Sequence, residues 1–473
     1  MHLLLILLHI YFVSFLDKPE KSAPQLSERA IEQRAQWNIP TDGMDYPVSP
    51  MYLNQVRQLG GKVHHVSRWF NGATVEMNAQ TAAKVSELSF VTKVEKTRDD
   101  SESALSARKR ARRSLNSILV TENRAEAYTD KQLELYNLTP LHEAGFEGQG
   151  ILMTVCDGSF FNANTIDGFR HEQELGHFDF TDDKDDFYGY TGEHGTECLS
   201  TISGMIDGSY YGAATKSDYY LMRAEENFTE SPKEMDNVVA ALEKADSLGV
   251  NVFSLSLGYA EFDNEAWTLP KSALNGKSTR VSRAATIAAR KGMLVCVAAG
   301  NEGNDPWRTI SAPADADSIL TVGAVDINSQ LGSFSSYGPS ADGRIKPEVC
   351  AVGVQAYLIG HNSTIYRSSG TSYATPLLAG MAATLWSALP KENAMQIRER
   401  IIRSTDRYDN PDTQNYQYGY GIPDAWKAYT MQLDPQGVEN LQPAVNCQKI
   451  LRNGQILIIR GQQVFNLYGT PVR

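Results

Sequence analysis

From about residue 116 to residue 430, short apolar runs alternate with segments of helical spacing, and no other feature constrains the fold as much. Residues 151–156, 219–224, 250–257 and 293–298 read as strands; residues 233–248 and 281–291 carry apolar side chains three and four apart and read as helices. Such alternation predicts parallel strands with helices on both faces of one sheet. In sheets of this kind, reacting groups collect in the loops beyond the carboxyl ends of the strands. With 42% apolar and 21% charged residues in 473, the chain can bury a core of that size.

The flanks differ in character. Residues 1–16, MHLLLILLHIYFVSFL, form an apolar run. It is shorter than the roughly 20 residues that span a bilayer and has the length of a leader's apolar region. Residues 1–23 are therefore expected to be a signal peptide, and the protein to be secreted or displayed at the cell surface. No transmembrane span is expected in the mature chain. Residues 24–115 read as a small α+β module, with strands at 62–70, 72–77 and 91–96 and a helix at 79–88. The run RKRARR at 108–113 is either an exposed processing linker or a solvated surface run; both readings mark a boundary near 115. Residues 431–473 read as a linker and a short β module of three strands, with turns at Asn453-Gly454 and Gly461. The five cysteines, at 156, 198, 296, 350 and 447, are widely spaced with no CxxC pair, and read as buried free thiols. A formal net charge of −12 argues against nucleic acid as a partner. It leaves peptide and protein substrates open.

Three segments carry candidate chemistry. In ILMTVCDGSF an apolar strand ends in Asp157, at the rim of the sheet; alone, this is also an ordinary Asp-Gly turn. In GEHGTECLSTISG, His194 stands at the start of a helix over 194–203, with Gly192 and Gly195 allowing close backbone approach. In YRSSGTSYATPLLAG, Ser372 lies where a polar turn enters an apolar helix. The helix N-terminus there offers free N–H groups and positive potential. The alternative is that Thr371 or Ser372 merely caps that helix. The order Asp, His, Ser is one of the orders in which this catalytic triad occurs, and no G-x-S-x-G elbow surrounds Ser372.

On Asp157-Gly158, His194-Gly195-Thr196 and Gly370-Thr371-Ser372-Tyr373-Ala374-Thr375-Pro376, residues 140–430 resemble the subtilisin-like serine proteases. The resemblance implies an α/β, subtilisin-like three-layer fold with a mainly parallel central sheet. A small α+β prodomain would precede it and a short all-β tail would follow. It implies domains at 1–23, 24–115, 116–430 and 431–473. It also implies a secreted serine endopeptidase using Asp157, His194 and Ser372, with Asn301 of CVAAGNEGN donating to the oxyanion. Ser256-Leu257-Gly258 of VFSLSLGY would align an extended substrate by main-chain hydrogen bonds. The partners implied are protein or peptide substrates and the chain's own propeptide, acting as an intramolecular inhibitor. No cofactor is required. Calcium could serve as a structural ion, with the acidic run at 178–186 as one place for it and a solvated loop as the other reading. Cys198, one turn after His194, matches a cysteine of the proteinase K-like branch. The tail VFNLYGTPVR resembles secretion or anchoring segments of exported Bacteroidetes proteins. The competing function, from another class, is a non-catalytic peptide-binding surface protein on the same fold.

Overall fold

The computed structural model describes residues 8–20, 22–99, 118–119, 127–169, 171–181, 186–189, 192–226, 229–433, 447–452, 455–460 and 463–466. The first module packs a four-stranded antiparallel sheet against two helices. Its elements are β1 (His9–Phe15), α1 (Glu28–Gln36), α2 (Pro50–Gln58), β2 (Lys62–Ser67), β3 (Gly72–Met77), α3 (Ala79–Ser86) and β4 (Val91–Asp99), with sheet order β2-β3-β1-β4. The helices begin where their caps dictate. Ser27, Ser49 and Asn78 accept from the backbone N–H of Ala30, Tyr52 and Thr81, at 3.1, 3.2 and 2.8 Å.

The expected boundary at residue 23 meets a structural objection. Residues 9–15, assigned from sequence to a leader, are a central strand of this sheet. Val13 faces Ala73 on one side and Val94 on the other. Tyr11, Val13 and Phe15 fill the module's core with Tyr52, Leu53, Val56 and Val85. The opposite face is covered as well: Ile10 and Phe12 are buried, and the Arg280 guanidinium lies 4.0 Å over the Phe12 ring. A strand buried on both faces loses the polar alternation of a half-exposed one and reads as an unbroken apolar run, much as a leader does.

The module docks on the following domain through buried ion pairs. Arg34 binds Asp45 at 2.7 Å and Asp246 at 2.6 Å, and Arg68 also binds Asp246. Glu243 accepts from the Arg68 backbone N–H at 2.8 Å. Trp37 stacks on Trp386 with ring centroids 5.5 Å apart.

That domain runs through β5 (Ile118–Leu119), α4 (Asp130–Glu134), α5 (Thr139–Glu143), β6 (Leu152–Asp157), β7 (Glu174–Asp179), α6 (His194–Ser203), β8 (Met205–Ile206), β9 (Tyr210–Tyr211) and β10 (Asp218–Arg223). It continues with α7 (Pro232–Leu248), β11 (Val252–Leu255), α8 (Arg280–Arg290), β12 (Leu294–Ala298), β13 (Leu320–Val325), β14 (Val349–Val352), β15 (Ala356–Ile359), β16 (Ile365–Ser368), α9 (Thr371–Ala388), α10 (Ala394–Ser404) and α11 (Ala425–Thr430). Seven parallel strands form the central sheet, in the order β14-β13-β12-β11-β6-β10-β7. One core joins its strands to α6 and α9; another joins them to α7 and α8 on the opposite face. This is the three-layer arrangement expected from the alternation. The chain moves from β6 toward β7 and β10 on one side, then returns to β11 on the other. The crevice beyond the carboxyl ends of β6 and β11 is thus a topological switch point, where open α/β sheets place their ligands.

The last strands, β17 (Cys447–Arg452), β18 (Gln455–Arg460) and β19 (Gln463–Asn466), form a separate three-stranded antiparallel sheet. The basic run at 108–113, the tail VFNLYGTPVR beyond residue 466 and Asn453-Gly454 lie outside the described residues. Among the described residues, no helix is long and apolar enough to cross a membrane.

Candidate active site

Asp157 is the last residue of β6 and its side chain is sealed from solvent. His194 opens α6, and its Nδ1 meets Asp157 Oδ1 at 2.8 Å. The Gly158 N–H donates to the same oxygen at 2.7 Å. The pairing needs glycine after the histidine. A Cβ at Gly195 would lie 2.3 Å from the Ser159 carbonyl oxygen and 2.9 Å from Asp157 Cβ. The imidazole itself is 39% exposed, so its outer edge can reach a substrate. Burial disfavours the charged imidazolium, but the Asp157 carboxylate outweighs it. His194 is held well above its ordinary value.

Ser372 is the second residue of α9. Neither Thr371 nor Ser372 caps that helix: the N-cap is Gly370, which has no side chain to cap with. The capping alternative is thereby set aside, and the N-terminal dipole faces the site. The Ser372 hydroxyl donates to the Ser256 carbonyl at 3.3 Å, so attack requires it to swing to His194 Nε2. The Ser372 carbonyl is pinned by the Ser256 hydroxyl at 2.8 Å and by the Cys198 thiol at 3.3 Å. Cys198 Sγ is also 3.9 Å from His194 Nδ1, so one thiol lies between base and nucleophile.

Asn301 sits in the loop after β12. Its Oδ1 accepts from the Thr371 N–H at 2.8 Å and from the Thr371 hydroxyl at 2.9 Å. A backbone N–H needs an acceptor, so these bonds fix the amide's orientation and leave Nδ2 as the free donor. Sequence reasoning named Thr371 as a motif residue and candidate cap, but not as the residue that orients Asn301. Ser256, Leu257 and Gly258 continue past the last ladder pairing of β11. Leu257 is buried, so only main chain is offered there; a Cβ at Gly258 would lie 2.2 Å from Ser311 Oγ. The structure thus brings Asp157, His194, Ser372, Asn301 and Ser256 to one crevice.

Two other expectations bear on this domain. Asp179, first acid of the run offered for calcium, is hydrogen-bonded at both oxygens: Oδ2 accepts from Arg223 Nε at 2.9 Å and Oδ1 from the Thr181 N–H and hydroxyl at 2.9 and 2.6 Å. Residues 182–185 of the same run lie outside the described residues. Cys156, Cys198, Cys296 and Cys350 are buried free thiols.

Cys198 gives a test. Burial pushes its thiol up to about 11, so it is uncharged and sluggish toward alkylators. A mercurial small enough to enter should abolish turnover by displacing His194, and Cys198→Ser should remove that sensitivity. Unchanged sensitivity in the serine variant would sink the idea.

Residues 139–421 match the subtilase family, Peptidase S8, and residues 10–115 match the Peptidase S8 propeptide domain of Bacteroidota. The chain is 27% identical over 305 residues to serine protease AprX of Bacillus subtilis (strain 168), covering 58% of this chain and 65% of that protein. It is thus just short of spanning two thirds of AprX's length. It is 29% identical over 231 residues to Subtilisin DY of Bacillus licheniformis, covering 48% and 74%. Among solved structures, MycP1 from Mycobacterium smegmatis has a TM-score of 0.54 at 19% identity, covering 68% of this chain and 89% of that one, a likeness of fold.

Proposed function

The chain belongs to the subtilase family of peptidases, and on that premise we propose that it is an exported serine endopeptidase made as a propeptide-bearing zymogen. The observation that carries the reading is the 2.8 Å contact of His194 with a sealed Asp157, beside Ser372 in the first turn of α9. His194 Nε2 takes the Ser372 proton as Oγ attacks the peptide carbonyl, and later returns it to the leaving amine. Asp157 orients the ring and favours its charged form. Asn301 Nδ2 and the Ser372 N–H face the position where the oxyanion develops. The main chain of 256–258 pairs with an extended peptide. Side chains and backbone supply this chemistry. Calcium, offered from sequence as a structural ion, has no part in these steps.

A raised imidazole pKa has a definite consequence. The base must be neutral, so activity is lost as pH falls through its pKa. The acid limb of kcat is expected above the ordinary imidazole value of about 6.5. A limb at or below that value in a pH–rate profile would contradict the Asp157 effect.

The competing reading, a peptide-binding surface protein, is separated by a fluorophosphonate probe, which labels only an activated serine. The mature protein should label and Ser372→Ala should not. Equal labelling of the two would favour the binder. The first module is read as the intramolecular inhibitor, so labelling of Ser372 should rise when it is removed. Export is read from the zymogen design, and detection of the mature form in the cytosol of producing cells would argue against it.

A further inference from the structure

One turn beyond the imidazole stands a second buried carboxylate. Glu197 follows His194 by three positions on α6, which puts the two on neighbouring points of one helix face. Both of its oxygens accept phenol protons: Tyr366 of β16 donates to Oε1, and Tyr373 of α9 donates to Oε2 at 2.5 Å. Burial raises the Glu197 carboxyl above its ordinary value, while the imidazole of His194 and the two phenol donors act against that and favour the carboxylate. Tyr373 is the residue after Ser372, and its ring lies 5.7 Å from the imidazole, tilted by 42°. Glu197 therefore ties together the helix that carries the base, the helix that carries the nucleophile, and a neighbouring strand. If the cluster served packing alone, apolar side chains of similar volume would do as well or better, because a buried acid is costly.

Resting on the endopeptidase reading, we propose that Glu197 is a positioning residue. Through Tyr373 it sets the imidazole against Ser372, and its charge favours the imidazolium that forms during attack. The charged and titratable groups around the ring are Asp157 from β6, Glu193 just before α6, Cys198 and Glu197 on α6, and Tyr373 on α9. Glu193 is itself paired with His361, and Tyr366 of β16 acts through Glu197.

The test uses the full chain after propeptide removal, with active sites counted by fluorophosphonate titration. For wild type, Glu197→Gln, Tyr373→Phe and Tyr366→Phe, kcat and KM of a peptide substrate are followed over roughly pH 5 to 11. Glu197→Gln and Tyr373→Phe should each lower kcat about tenfold with KM within about twofold, because a small misplacement of the base acts on the transition state. Glu197→Gln should also move the acid limb down by about half a pH unit, since it removes a negative charge near the imidazole. Tyr373→Phe keeps that charge and should leave the limb in place. Tyr366→Phe should lose less, because the Tyr373 contact survives.

A purely structural role predicts lower yield and Tm but wild-type kcat per titrated site, and that result would overturn the proposal. So would an unshifted acid limb in Glu197→Gln. If Glu197→Gln does not fold, the kcat of Tyr373→Phe decides. If wild type neither labels nor cleaves, the endopeptidase reading itself is at fault, and the proposal falls with it.

Discussion

Ser372→Ala should lower kcat by about 10⁶, and adding His194→Ala or Asp157→Asn to it should cost almost nothing more. The non-additivity follows from the geometry. His194 has no proton to take once the hydroxyl is gone, and Asp157, in contact with the ring at 2.8 Å, acts only through it. Asn301→Ala stands apart, because its Nδ2 acts on the oxyanion and not on the proton. It should cost about 10²–10³ in kcat with little change in KM. Thr371→Val should reproduce part of that loss, since Thr371 donates both bonds that orient the Asn301 amide. The measurement is kcat per mole of purified, folded protein for the single and combined variants. Losses that simply added across Ser372, His194 and Asp157 would mean that the three do not act as one unit.

These residues were legible because each sits at a break in the pattern. Asp157 ends an apolar strand, His194 begins a helix between glycines, and Ser372 begins an apolar helix after a polar turn. The parallel sheet could be read for a similar reason: β6, β11 and β12 are buried on both faces, so their sequences are unbroken apolar runs followed by helical spacing. The groups that tune the site left no such trace. Glu197 and Tyr366 lie 169 positions apart, and neither breaks a local pattern; only the folded chain brings the phenol to the carboxylate. Thr371 looked like a cap because it stands where caps stand. Its bond goes instead to a loop 70 positions away.

The same property that made the core strands legible misled the reading of the first residues, and it leads to the second large effect. A chain lacking residues 1–23 should fail to yield active enzyme on refolding, whereas a chain lacking residues 1–7 should refold as the full chain does. β1 is hydrogen-bonded on both sides, so its loss breaks the four-stranded sheet between β3 and β4, leaving β4 unpaired and β3 bonded to β2 alone. It also removes Tyr11, Val13 and Phe15 from the core, each worth roughly 1.5–3 kcal/mol on burial. Against a stability of about 5–15 kcal/mol for a whole domain, that loss is enough to unfold the module. The consequence reaches the protease domain, because α7 and α8 are covered by this module through Glu243, Asp246 and Arg280. Val13→Asp makes the same point without shortening the chain: it sets a charge against Ala73 and Val94, in a position with no partner for it. Both variants are scored by recovered fluorophosphonate-reactive sites per mole of chain refolded. Wild-type recovery from the chain lacking residues 1–23 would show that β1 is dispensable and would restore the boundary at residue 23.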